Sequence, residues 1–291
     1  MTTHTVTVPG ATLTYDVHGE LGPGVVPLVL AGSPMDASGF ETLRSHFADR
    51  AVVTYDPRNV GRSVPDDRTA AVTPEQHADD LHAVLADVGH GPVDLFGTSG
   101  GAVNALHLVA RHPDDVRLVV AHEPPAANAL PDHAEIVAVC DDMVATYDAQ
   151  GMGPAMARFI AAVMHRGPVG ADYLSGPAPD PAAFGLPTED DGDRGDGLMG
   201  NMRGEGVARG MPDPATLRAA STTVVVAVGE ESGGPEDGEI AGRAAYAVAA
   251  ALGQDAVVFP SGHAGFLGGE YGQTGQPDAF AARLREVLAS A

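Results

Sequence analysis

Val93-Asp94-Leu95-Phe96-Gly97-Thr98-Ser99-Gly100-Gly101-Ala102-Val103-Asn104-Ala105-Leu106 decides how this chain is read. An apolar run short enough for one buried strand ends in a Gly-x-Ser-x-Gly pentapeptide, and a stretch of helical spacing begins at once. A sharp strand-to-helix turn pushes a serine hydroxyl out where a base can reach it. The flanking glycines are needed because such a turn leaves no room for Cβ atoms. With 37 glycines in the chain the pentapeptide alone is weak evidence; its place between strand and helix gives it weight. Ser99 is the candidate nucleophile of a serine hydrolase.

Outward from this turn, strand-like and helix-like runs alternate. Residues 5–8 and 12–17 read as an opening antiparallel pair around Pro9-Gly10, and 27–31, 52–55, 93–96 and 116–121 follow as buried strands. The clearest helix is 74–88, where Leu81, Val84, Leu85 and Val88 repeat at helical spacing. Thr73-Pro74-Glu75-Gln76 supplies an N-cap, an N1 proline and a capping-box glutamine. After residue 220 the rhythm resumes, with strands at 222–228 and 256–259 and helices at 239–252 and 277–289. Strands separated by helices of this length imply right-handed crossovers and a mostly parallel sheet, hence an α/β, doubly wound core.

Residues 124–220 break the rhythm. They hold seven of the nine methionines, helical stretches near 132–148 and 153–165, and then a segment, 176–197, in which 15 of 22 residues are Gly, Pro, Asp or Glu. Such a segment builds no packed core and reads as flexible. The interval is expected to be a helical cap inserted after the sixth strand, with 1–123 and 221–291 forming the core. Its methionines either line a substrate pocket or fill the cap's own core. Asp191, Asp193 and Asp196 lack the glycine and closing glutamate of a calcium loop, so a solvated loop is expected.

Composition narrows the function. The chain has 291 residues, 44% of them hydrophobic and 19% charged, as a globular protein should. Its 39 acidic residues face 16 arginines and no lysine, a net charge of −23 that makes nucleic acid and anionic membranes poor partners. The opening residues show neither the basic nor the apolar part of a signal peptide, and no apolar run could span a bilayer, so a cytoplasmic protein is expected. Cys140, the only cysteine, excludes a disulfide framework and a thiolate metal cluster.

Four motifs in order resemble the α/β-hydrolase fold family over essentially the whole chain. Beside the elbow, Asp56-Pro57-Arg58-Asn59-Val60-Gly61-Arg62-Ser63 is similar to the family's turn after strand four. Leu28-Val29-Leu30-Ala31-Gly32-Ser33 resembles its strand-three turn, with Ala31 where a histidine is usual, and Phe259-Pro260-Ser261-Gly262-His263 resembles the segment that delivers the catalytic histidine. The resemblance implies an eight-stranded sheet and His263 as general base. It also implies an oxyanion hole from the N–H groups of Gly100 and Ser33, since Pro34 has no N–H.

The acid is the open position. The family's usual Gly-x-x-Asp after strand seven reads Gly229-Glu230-Glu231-Ser232, and serine cannot stabilise an imidazolium as a carboxylate does. Glu123, at the end of strand six, stands where doubly wound sheets build their sites. A branch of haloalkane dehalogenases and the zearalenone lactonases carry their acid there, and His122-Glu123 resembles the latter. Glu123 is therefore the expected acid, with Glu231 and Glu230 as alternatives and His122 expected to pack on the opposite face. Asp56 and Arg58 are read as pinning their turn, and Asp36 as a helix cap.

The resemblance implies hydrolysis of a small, largely apolar carboxylic ester or lactone with no metal or organic cofactor. Cofactor-free haloperoxidase or perhydrolase chemistry on the same residues, and non-catalytic binding of a small ligand, are the alternatives. Helical caps of this family often form dimer contacts, so a homodimer is compatible with the resemblance.

Overall fold

The computed structural model describes residues 1–290. A nine-stranded sheet runs through the molecule in the order β1 (Thr2–Val8), β2 (Ala11–His18), β4 (Val52–Asp56), β3 (Leu28–Ala31), β6 (Val93–Thr98), β7 (Val116–His122), β8 (Thr223–Gly229) and β9 (Val257–Phe259), with β5 (Val64–Pro65) paired to β2. The β1–β2 and β2–β4 pairs are antiparallel; from β4 through β9 every pairing is parallel. The two-residue β5, which no sequence periodicity marks, raises the strand count from the expected eight to nine.

Helices cover both faces, as a parallel sheet requires. On one side α2 (Pro74–Val88), α3 (Gly100–Arg111) and α9 (Ile240–Leu252) bury Leu81, Val84, Leu106, Val109 and Val248 against Val29, Leu95, Val119 and Val226. On the other, α1 (Glu41–Ser45) and α10 (Pro277–Ala289) close Leu43, Phe280 and Leu284 over Leu28, Phe96 and Val120. Each such side chain contributes roughly 1.5–3 kcal/mol when fully buried. α2 begins and ends as its sequence directs: Thr73 Oγ1 accepts from the Gln76 N–H at 3.2 Å, Pro74 opens the helix, and Gly89 closes it at φ 69°.

Between β7 and β8 the chain leaves the sheet and forms α4 (His133–Gln150), α5 (Met152–Val163), α6 (Gly197–Arg203), α7 (Gly206–Arg209) and α8 (Pro214–Ala219). Met143 and Met199 are buried there, with Met152, Met156 and Met202 packed against the same clusters, so most of these methionines fill the excursion's own core. The acidic stretch before α6 is shaped by short-range bonds in which Asp180, Asp190, Asp191 and Asp193 each accept from the N–H two residues on. A buried pair, Arg243 of α9 with both oxygens of Asp132 at 3.0 and 2.7 Å, ties the excursion to the core. Among the described residues no helix is long and apolar enough to cross a membrane.

Candidate active site

The chain runs from β3 to β4 on one side and later enters β6 on the other, so neighbouring β3 and β6 leave the sheet in opposite directions. Their C-terminal ends form the crevice where such sheets bind ligands. Ser33 follows β3 and Ser99 follows β6.

Ser99 has φ 55° and ψ −130°, outside the ordinary regions for a residue with a side chain. Such a conformation costs on the order of 1–3 kcal/mol and persists only where the surroundings impose it. They do so by close packing. A Cβ on Gly97 would lie 2.8 Å from the Gly101 carbonyl, and one on Gly101 only 2.3 Å from the Ala31 carbonyl. The Ser99 N–H donates to the His122 carbonyl at 3.0 Å, and its own carbonyl accepts from Ala102 N–H at 2.9 Å.

Glu123 lies one residue beyond β7, also at positive φ (49°), with no exposed surface. Its Oε1 accepts from the Gly229 N–H at 2.7 Å and its Oε2 meets His263 Nδ1 at 2.5 Å, so both oxygens are held. Burial raises its pKa, but the hydrogen bond from His263, the His122 and His263 imidazoles, and Ser232 outweigh burial and hold it down at about 2. Burial works against the His263 imidazolium, and the hydrogen bond and charge of Glu123, with the charge of Glu239, overcome it and raise the pKa. An Nδ1–H facing a carboxylate leaves Nε2 with its lone pair free to accept a proton. Among the described residues Ser99 Oγ has no hydrogen-bond partner.

Gly100 is the first residue of α3, where an N–H has no partner within the helix. A Cβ on Gly100 would meet the Ser33 carbonyl at 2.7 Å and Ser33 Cβ at 3.2 Å, so the two residues are in contact. Neither the Ser33 nor the Gly100 N–H has an acceptor among the described residues. The turn that carries Ser33 lacks the usual histidine, and other groups hold it. Met35 packs so tightly that Cβ atoms on Gly32 and Gly39 would fall within 3 Å of it. Asn201 of α6 donates to Ser33 Oγ at 3.0 Å, and its Oδ1 meets His77 Nε2 of α2 at 2.7 Å.

The structure therefore brings Glu123, His263 and Gly229 into direct contact, and Ser33 and Gly100 likewise. Glu230 and Glu231, the alternative acids, are exposed and face Ser261 rather than His263. His122 is fully buried among Phe96, Phe259 and Phe280, its pKa pushed down to about 4 by burial, but it also meets Thr98 Oγ1 through Nδ1 at 3.1 Å and stacks on the His263 ring at 6.2 Å, so it lies beside the candidate site. Asp56 accepts from the N–H groups of Ala37 and Arg62, Arg58 pairs with Asp80, and Asp36 caps the following turn. Asn201, His77 and Met35 carry no sequence motif; only the fold assembles them. His82, His112 and Asp115 cluster at the N-terminal ends of β6 and β7, the opposite end of the strands from this site. The two rings stack in parallel, 3.9 Å apart, and His82 Nδ1 is bonded to Asp115 at 2.6 Å.

A serine on a strained strand-to-helix elbow, with a carboxylate after β7 and an imidazole after β9, is the arrangement of the α/β-hydrolase class. Residues 17–168, just over half of the chain, match the family model for the alpha/beta hydrolase fold, and the chain belongs to that family. The uncharacterized hydrolase YraK of Bacillus subtilis is 39% identical over 121 residues, 41% of this chain and 44% of its own length. This and two further curated relatives are matched over 36% to 51% of their own lengths. Among solved structures, a thermophilic esterase from Thermogutta terrifontis superposes with a TM-score of 0.68 at 22% identity, covering 98% of this chain and 96% of the other. The enol-lactonase of Burkholderia xenovorans LB400 gives 0.66 at 18% identity, over 98% and 100%.

Proposed function

We propose that the protein hydrolyses a small, largely apolar carboxylic ester or lactone through an acyl-enzyme on Ser99. The observation that carries the reading is the buried Glu123 carboxylate, fixed by the Gly229 N–H on one oxygen and bonded to His263 through the other. A carboxylate held this way orients the imidazole and stabilises the imidazolium that forms when His263 takes the Ser99 proton. Ser99 Oγ then attacks the carbonyl, and the oxyanion is received by the Ser33 and Gly100 N–H groups, each such donor being worth roughly 2.7–4 kcal/mol of barrier. His263 returns the proton to the departing alcohol oxygen, and water activated by the same imidazole releases the acid. Two neighbours of the same fold are an esterase and an enol-lactonase, and the substrate class is proposed on that analogy of fold. The excursion between β7 and β8 would act as a cap that selects substrate.

The test is intact mass after exposure to a small fluorophosphonate, with a panel of neutral esters and lactones assayed in parallel. One adduct on the wild type, none on Ser99→Ala, and turnover of at least one panel member are expected. A folded wild type that takes no adduct would overturn the reading, and peroxide-dependent bromination without ester turnover would redirect it to oxidative chemistry.

A further inference from the structure

We propose that the Ser33 hydroxyl is a third donor to the oxyanion, primed from the excursion by Asn201 and from the core by His77. The proposal rests on the hydrolase reading above and adds a side-chain donor to its two backbone ones. Asn201 reaches Ser33 Oγ through Nδ2 at 3.0 Å and His77 Nε2 through Oδ1 at 2.7 Å. A carboxamide oxygen only accepts, so His77 carries its hydrogen on Nε2. Burial lowers the His77 pKa and keeps the ring neutral, and its Nδ1 is buried with no partner. Turning the amide round would move the hydrogen to that Nδ1 and bury an N–H without an acceptor, which is the costlier orphan. The amide is thereby set with its NH2 group toward Ser33.

The consequence falls on the Ser33 hydroxyl. It accepts from Asn201, and among the described residues no group accepts its own hydrogen. A hydroxyl that accepts one bond donates a stronger one. Ser33 is 4% exposed, and its Cβ, the atom that carries the hydroxyl, lies 3.2 Å from where a Cβ of Gly100 would stand, which sets the hydroxyl one bond from the contact between the two donor residues. The elements involved are far apart in sequence: Asn201 is separated from Ser33 by 168 positions and from His77 by 124. Correct docking of α6 thus becomes a condition for the complete set of donors.

Ser33→Ala keeps the backbone N–H and removes only the hydroxyl. It is expected to lower kcat roughly 10- to 100-fold, below the 10²–10³ typical of a principal donor, with KM for a neutral ester within about twofold. A boronic acid, whose tetrahedral adduct carries the oxyanion's charge, should lose affinity by a similar factor. Asn201→Ala should give a smaller fall in kcat that disappears when Ser33 is already alanine. Unchanged kcat and boronate affinity in a folded Ser33→Ala would overturn the proposal, as would an Asn201→Ala effect of full size in the Ser33→Ala background. Fluorophosphonate labelling of Ser99 separates the two levels: wild type that fails to label sinks the hydrolase reading itself. Labelling and turnover with Ser33→Ala indifferent sinks only the third donor.

Discussion

At the scale of the residue, the site turns on where charge is allowed to stay buried. Glu123 remains ionised in a pocket without solvent because both of its oxygens are bonded. Glu123→Gln keeps the shape and removes the charge, and kcat is expected to fall on the order of 10²–10⁴-fold, as when a triad loses its acid. The pH profile gives an independent check. In the proposed mechanism His263 must be neutral to act as a base, so activity should fall as pH drops through its pKa, which Glu123 holds above the ordinary histidine value against the opposing effect of burial. In Glu123→Gln the residual activity should therefore have its acid limb displaced to lower pH. An unmoved limb would show that Glu123 is not what His263 answers to. That Ser99, Glu123 and His263 follow strand ends was legible because each sits inside a local pattern. Ser232, at the family's usual acid position, looked like a gap. The structure buries it near enough to the Glu123 carboxylate to favour its charge, while its Oγ completes no hydrogen bond of good geometry.

At the scale of the element, α2 and α6 mark the two limits of what sequence can tell. α2 announces itself through Thr73, Pro74, the apolar spacing and Gly89, all within one window. α6 has three glycines at or just after its seven residues, a composition that reads as loop. Its helix exists because those glycines let it lie against the core. Cβ atoms on Gly197, Gly200 and Gly204 would stand 2.7, 3.3 and 2.0 Å from the carbonyl oxygens of Asn59, Ala70 and Val72, and the Val72 N–H donates to Gly200 O at 3.0 Å. Tertiary contact overrides propensity there, and no window of sequence contains both partners. Gly204→Ala should lift α6 from its seat, lowering Tm by several degrees and lowering kcat as Asn201→Ala does. Gly185→Ala is the control: its φ is 69° with nothing within 4 Å of the new Cβ, so it should cost about 1 kcal/mol of backbone strain and leave kcat alone. Equal effects of the two on kcat would detach α6 from the chemistry.

At the scale of the whole molecule, the net charge of −23 acts on every approaching substrate. Several arginines are already spent on internal pairs, Arg58 with Asp80, Arg62 with Asp16 and Asp56, and Arg243 with Asp132, so the surface field is acidic. Glu239 adds to the negative potential at His263 itself. This field extends about 30 Å in 0.01 M salt and about 8 Å in 0.15 M, so its effect on encounter can be switched off without touching the protein. An ester bearing a free carboxylate should show a kcat/KM that rises several-fold between 10 and 300 mM salt (roughly the range over which screening collapses). A neutral ester of the same size should change little. The difference between the two substrates, rather than either slope alone, isolates the field from salt effects on stability. If the anionic ester instead reacted faster at low salt, a local cation near the crevice would be overcoming the global charge, and the arginines of the excursion would become the candidates for substrate recognition.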